Sequence, residues 1–154
     1  MDKNILIEYA DMKEEIKDLR RRIEQNKKEL SRLNGQVVMD SVSCGKKGKK
    51  PLGTVKITGR PVTAISRKES LLNKRIRRLE KLEEELLELA IQVDEYIETI
   101  EKSELRIIFR LYYINDLTWY QVALRMNQSF PKRKVKYTED NCRMRHNRFL
   151  AKIE

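Results

Sequence analysis

At 154 residues, with 38% charged and only 6% aromatic, the chain suits one small domain plus extended helices, and argues against a large globular core. Its 34 Lys/Arg against 24 Asp/Glu leave a net charge of +10, which points to a polyanionic partner, nucleic acid first. No run of about 18 apolar residues offers a membrane span, and a start bearing Asp2, Glu8 and Asp11 does not read as a signal peptide.

Residues 1–34 predict a coiled-coil helix. Ile5, Tyr9, Met12, Ile16, Leu19, Ile23, Asn26, Leu30 and Leu33 alternate in steps of four and three, which is a heptad seam. Asn26 is its one polar member. It reads either as a tolerated residue near a helix end or as a device that sets register. Such a helix is about 45 Å long at about 1.5 Å per residue, and it needs a partner for its seam.

Residues 35–65 hold all five glycines and two of the three prolines, Pro51 and Pro61, and predict a basic loop. Six Lys/Arg against one Asp give it a charge of +5, concentrated in Lys46-Lys47-Gly48-Lys49-Lys50. It serves either as a solvated tether or as an arm that adds non-specific affinity for phosphates. Thr54 to Ile57 has the composition of a short strand, with no obvious mate nearby. No glycine loop of the nucleotide-binding kind is present.

Residues 66–102 predict a second coiled-coil helix, capped at Ser66 with Glu69 completing a capping box. Its seam is Leu72, Ile76, Leu79, Leu82, Leu86, Leu89, Val93, Tyr96 and Ile100, with one step short by a residue. Two seams of matching length invite a long antiparallel hairpin. The long loop between them means that the loop has its own job or that the helices pair between chains, so a homo-oligomer through the coiled coil is an open expectation.

Residues 103–154 predict a compact helical module. Ser103 is the expected cap of a third helix, Glu104 to about Ile114, with Leu105, Ile108, Phe109, Leu111 and Tyr112 packed beneath the two helices after it. Leu117 to Asn127 predicts the next helix, capped at Thr118, with Leu117, Val122, Ala123 and Met126 inward. Trp119 reads as an anchor between it and the third helix, with contact to DNA as the alternative. After a basic connector, Thr138 caps a last helix that runs to about Ile153, with Glu139 and Asp140 in its first turn, where acids suit the helix dipole. Cys142, His146, Phe149 or Leu150, and Ile153 recur on its inner side. A short helix with one apolar stripe and a face of Arg and Asn suits the DNA major groove.

That placement sets the expected DNA-binding residues. Thr138, Asn141, Arg143, Met144, Arg145 and Arg148 lie on the last helix or its cap. Asn141 could pair with adenine, and Arg143 or Arg145 with guanine; the alternative is that these arginines touch only phosphates. Lys132, Arg133, Lys134 and Lys136 would anchor phosphates, and Tyr120 and Gln121, opening the preceding helix, would touch the sugar–phosphate backbone. Residues 103–154 carry eleven Lys/Arg and five Asp/Glu, while the two coiled-coil segments sum to about zero. Positive charge is therefore concentrated on this module and the loop.

The Leu-Thr-x-x-x-Val-Ala pattern from Leu117 and the Arg-x-x-x-x-Leu-Tyr-Tyr run from Arg106 to Tyr113 resemble the C-terminal, region-four helix-turn-helix of bacterial sigma factors, the module that reads promoters. Taken whole, the chain resembles the RinA/ArpU-type late transcription regulators of Gram-positive phages, which put an N-terminal helical segment before such a module. The first likeness covers about a third of the chain and the second nearly all of it. The tract Gln128 to Tyr137 is longer than the motif's three- or four-residue turn. The resemblance implies an all-α fold, a sequence-specific double-stranded DNA-binding activator of late genes, RNA polymerase as a possible protein partner, and the cytoplasm of a bacterial host.

Two other readings use the same features. A small terminase-like packaging adaptor would form a ring through the coiled coil, and a coiled-coil protein binder would use the module as a protein interface. Enzymatic readings are weak, with one histidine, no catalytic carboxylate motif and no nucleophile elbow. Cys142 and His146 lie four apart, but two ligands do not make a zinc site, so neither metal nor cofactor is expected. The two cysteines, Cys44 and Cys142, read as reduced thiols.

Overall fold

The computed structural model describes residues 3–44 and 53–152. Among them the fold is all-α apart from one two-stranded ribbon. The order is α1 (Asn4–Asn34), β1 (Val38–Cys44), β2 (Gly53–Gly59), α2 (Val62–Glu98), α3 (Ser103–Phe109), a π-turn (Arg110–Ile114), α4 (Trp119–Ser129) and α5 (Glu139–Ala151). No helix among the described residues is long and apolar enough to cross a membrane. The lysines of 46–50, Pro51 and Ile153 lie outside the described residues.

The chain divides into two compact units, one of residues 16–81 and one that joins residues 1–15 to 82–154. In the first, the heptad positions of α1 turn inward: Ile16, Ile23 and Asn26 are buried, while Leu19, Leu30 and Leu33 are half-buried. Leu72, Ile76 and Leu79 of α2 are half-buried in the same unit, and Lys68 forms an ion pair with Glu29. Asn26 keeps its amide nitrogen buried without a hydrogen-bond partner.

The segment expected to be a loop contains strands. β1 and β2 pair antiparallel with Val42 opposite Val55 and Asp40 opposite Ile57. The mate that Thr54–Ile57 lacked in sequence is Val38–Cys44, whose Asp and Ser residues interrupt the apolar alternation by which strands are recognised. α2 also starts earlier than expected. Ile65 N–H donates to Pro61 O at 3.0 Å, so the helix opens at the proline, whose missing N–H costs nothing there. Ser66 is therefore inside the helix and not its cap.

The second unit holds two adjoining cores. One gathers Leu6 and Tyr9 of α1, Leu89, Val93, Tyr96 and Ile97 of α2, then Ile100, Phe109 and Tyr113. The other gathers Ile108, Val122, Ala123, Met126, Tyr137 and Cys142. Tyr112 packs against both. α2 stops at Glu98, where Thr99 donates its hydroxyl to Tyr96 O at 2.6 Å, and Arg106 covers the carbonyls of Ile100 and Glu101 beyond it. Lys102, not Ser103, occupies the cap position of α3, without a side-chain bond; Ser103 instead accepts from Arg106 at 2.9 Å. The third helix runs to Ile114 as its sequence suggests, but it keeps α geometry only to Phe109. After Phe109 the ladder widens to five-residue steps, with Asn115 N–H on Arg110 O at 3.0 Å, and ends at Asp116 with φ +56°.

Candidate nucleic-acid interface

α4 and α5 start by the same local device. Thr118 caps α4 by accepting from Gln121 N–H, and the Gln121 side chain accepts from Thr118 N–H at 3.0 Å, which completes a capping box. Thr138 caps α5 by accepting from Asn141 N–H at 3.2 Å. In each case an apolar residue before the cap, Leu117 or Tyr137, shares a core with the residue four beyond the cap, Val122 or Cys142. That is a hydrophobic staple, and it fixes the angle at which the chain enters each helix. α5 packs on α3 and α4.

The tract between α4 and α5 is held at both ends. Phe130 packs against the second core and Tyr137 lies in it. The Asn127 side chain grips Tyr137 twice, donating to its carbonyl at 2.9 Å and accepting from its N–H at 2.8 Å. Glu104 then collects the donors around this tract. It accepts from the Tyr137 hydroxyl at 2.6 Å, from Arg133 at 3.0 Å and from Arg145. Arg133 also donates to the Tyr137 hydroxyl and stacks over its ring at 4.5 Å. Burial pushes the Glu104 carboxyl up, but the Tyr137 hydroxyl and the Arg145 and Arg133 guanidiniums outweigh it and hold the group below its ordinary 4.5. Tyr137 is pushed up to about 12, chiefly by burial and then by its bond to that carboxylate.

Several expected DNA contacts are consequently engaged within the fold. Arg145 is half-buried, with Nε on Asn141 Oδ1 at 2.7 Å and its other arm on Glu104, so it and Asn141 brace α5 against α3. Arg133 belongs to the same cluster. Gln121 is occupied by its capping box, and Lys136 donates to Pro131 O at 3.0 Å. What remains outward is narrower than the sequence suggested. Tyr120, Lys132, Lys134, Arg143, Met144 and Arg148 are exposed, and so are Gln121, Lys136 and Thr138, which bond within the fold; only Arg133, Asn141 and Arg145 are half-buried. Arg143 pairs with Asp140, one turn back on its own helix, at 2.6 Å. Arg148 edges a cleft floored by Leu105 and Phe149 and rimmed by Lys102 and Lys152.

Glu104, Tyr137 and Asn127 were not singled out from the sequence. Tyr137 had a signal, since an aromatic directly before a Thr cap is the first half of a staple. Glu104 had none, because its partners lie about 30 to 40 residues away in sequence.

His146 sits where the helical spacing placed it, buried and ringed by Phe109, Tyr112, Tyr113 and Trp119. Nδ1 bonds Asn147 Oδ1 at 2.9 Å, which leaves Nε2 to accept from the Tyr113 hydroxyl at 3.0 Å. Burial lowers its pKa from 6.5, against a smaller opposing effect of Asn147. The unfolded chain then binds more protons than the native one near and below 6.5, so stability is complete above that pH and is lost as pH falls through the lowered value. Melting temperatures followed from about pH 8 to about pH 5 should decline, and His146→Gln should flatten the decline. An equal decline in the variant would assign it to other groups.

Trp119 stacks on Tyr112 with centroids 4.1 Å apart and planes 12° apart, which anchors α4 to the π-turn. No protein-family model matches the chain, and neither a curated protein nor a solved structure is significantly similar to it.

Proposed function

We propose that the chain is a sequence-specific double-stranded DNA-binding transcription regulator, of the phage late-activator kind, that reads DNA through a sigma-like helix-turn-helix of α4 and α5. The long α1 and α2 pair as an antiparallel hairpin in this reading. The ion pair of Glu29 with Lys68 supports that pairing in one unit, and the packing of Leu6 and Tyr9 with Val93 and Ile97 supports it in the other. The hairpin would offer a surface to RNA polymerase or to a second copy.

One observation carries the proposal. α5 is capped and braced on its inner side by Cys142, His146 and Arg145, while Arg143, Met144, Asn147 and Arg148 stay exposed. An Arg-bearing helix fixed from behind suits readout of base edges in a major groove. Lys132 and Lys134, on a tract held at Phe130 and Tyr137, suit phosphates.

Selecting bound sites from a random duplex library should yield a consensus. On that site Arg143→Ala and Arg148→Ala should each lose about tenfold or more of the preference for specific over non-specific DNA. Lys134→Ala should weaken all sequences alike and reduce the salt slope by about one. If no sequence is enriched, or if the arginine variants lose evenly on every duplex, specific readout by α5 is wrong.

A further inference from the structure

We infer that Lys13, near the start of the chain and far in sequence from the reading helices, is a positioning residue for DNA recognition. The inference rests on the DNA-binding reading above.

A helix leaves its last carbonyls without intrahelical partners, and here two of the amides that follow are engaged elsewhere. Leu117 N–H goes back to Leu111 O at 3.1 Å. Thr118 N–H goes to the Gln121 side chain. Tyr113 O is met by neither, and it accepts instead from Lys13 Nζ at 3.1 Å. The same ammonium lies 3.0 Å from Asp116 Oδ1 and 5.3 Å from the Tyr9 ring centroid. Asp116 is the one described non-glycine residue with positive φ, a conformation that persists only where neighbours hold it. The Lys13 side chain is only 16% exposed.

Lys13 therefore binds both a terminal carbonyl of the π-turn and the left-handed residue that releases the chain toward Thr118. Tyr112 of that turn stacks on Trp119 at the start of α4, and Tyr113 bonds His146 in α5. Each reading helix thus takes its position from an aromatic residue of the turn that Lys13 secures. A lysine reaches both acceptors from one nitrogen with three donors, whereas an apolar side chain bonds neither.

The test uses the full chain, with Trp119, its only tryptophan, as an internal reporter. Lys13→Met should shift Trp119 emission in the absence of DNA. On the selected site it should lose about tenfold in affinity, while binding to random duplex falls much less. Lys13→Arg should restore both readouts. Asp116→Asn should show the same changes to a smaller degree, and it serves if Lys13→Met does not fold. Unchanged emission and specificity would overturn the inference, and so would equal losses on specific and random DNA, which would make Lys13 a phosphate contact. If the wild-type chain binds no duplex, the DNA reading fails and the role of Lys13 in recognition fails with it. Trp119 emission then still reports separately whether Lys13 holds the turn.

Discussion

Leu6→Ala should cost about 3 kcal/mol of stability and should destabilise the unit that carries α4 and α5. Leu6 is fully buried and shares a core with Val93, Ile97 and Phe109. Truncation leaves a cavity among residues already close-packed, and the loss combines transfer and cavity terms. Urea unfolding followed by Trp119 fluorescence is the direct measurement, because the reporter lies in the same compact unit. A chain starting at residue 82 should go further and lose cooperative unfolding altogether, since Leu6 and Tyr9 are then missing from the core. Cooperative unfolding of that fragment at the full chain's urea midpoint would show that the first fifteen residues are dispensable.

The second large effect belongs to Glu104. Glu104→Ala removes the common acceptor of Tyr137, Arg133 and Arg145 and should cost about 2 kcal/mol. The buried Tyr137 hydroxyl loses its acceptor, and the two guanidiniums face each other without the charge between them. Because the folded carboxyl lies below its ordinary range, its contribution is complete above about pH 4.5 and is lost as pH falls through the lowered value. Wild type and variant should therefore converge in stability on acidification. Under the function proposed above, the released Arg145 should also weaken specific DNA binding, through movement of α5. A Glu104→Ala chain with an unchanged urea midpoint at neutral pH would reduce the cluster to surface ion pairs of little worth.

The helices and their inward faces were readable because periodicity reports burial. Every seam position of α1 and α2 named from spacing is buried or half-buried. Leu6 escaped because it lies outside the heptad stripe. It is buried since the first turns of α1 meet Phe109 and Tyr113 as well as α2, and that wider contact broadens the inward arc. The caps at Thr118 and Thr138 are local chemistry and were equally readable. The π-turn was not, because Arg110–Ile114 has an ordinary helical composition that carries no mark of the wider ladder. The engagement of Arg145, Arg133 and Asn141 was hidden for a related reason. An arginine beside an apolar stripe looks the same in sequence whether it faces solvent or reaches a distant Glu.

The widened turn has one more consequence. On an α-helix two adjacent residues point about 100° apart, yet here neighbouring tyrosines both meet His146, one stacking on the indole of α4 and the other lodged in the core that contains α1 and α2. The two cores are thus dovetailed through consecutive rings on one backbone. A ligand settling on the outer face of α5 would find the surface already shaped. Little backbone entropy would remain to be surrendered on association, while the exposed Arg143, Met144 and Arg148 would still give up rotamer freedom, and the heat-capacity change would report the area covered, with no added signature of folding.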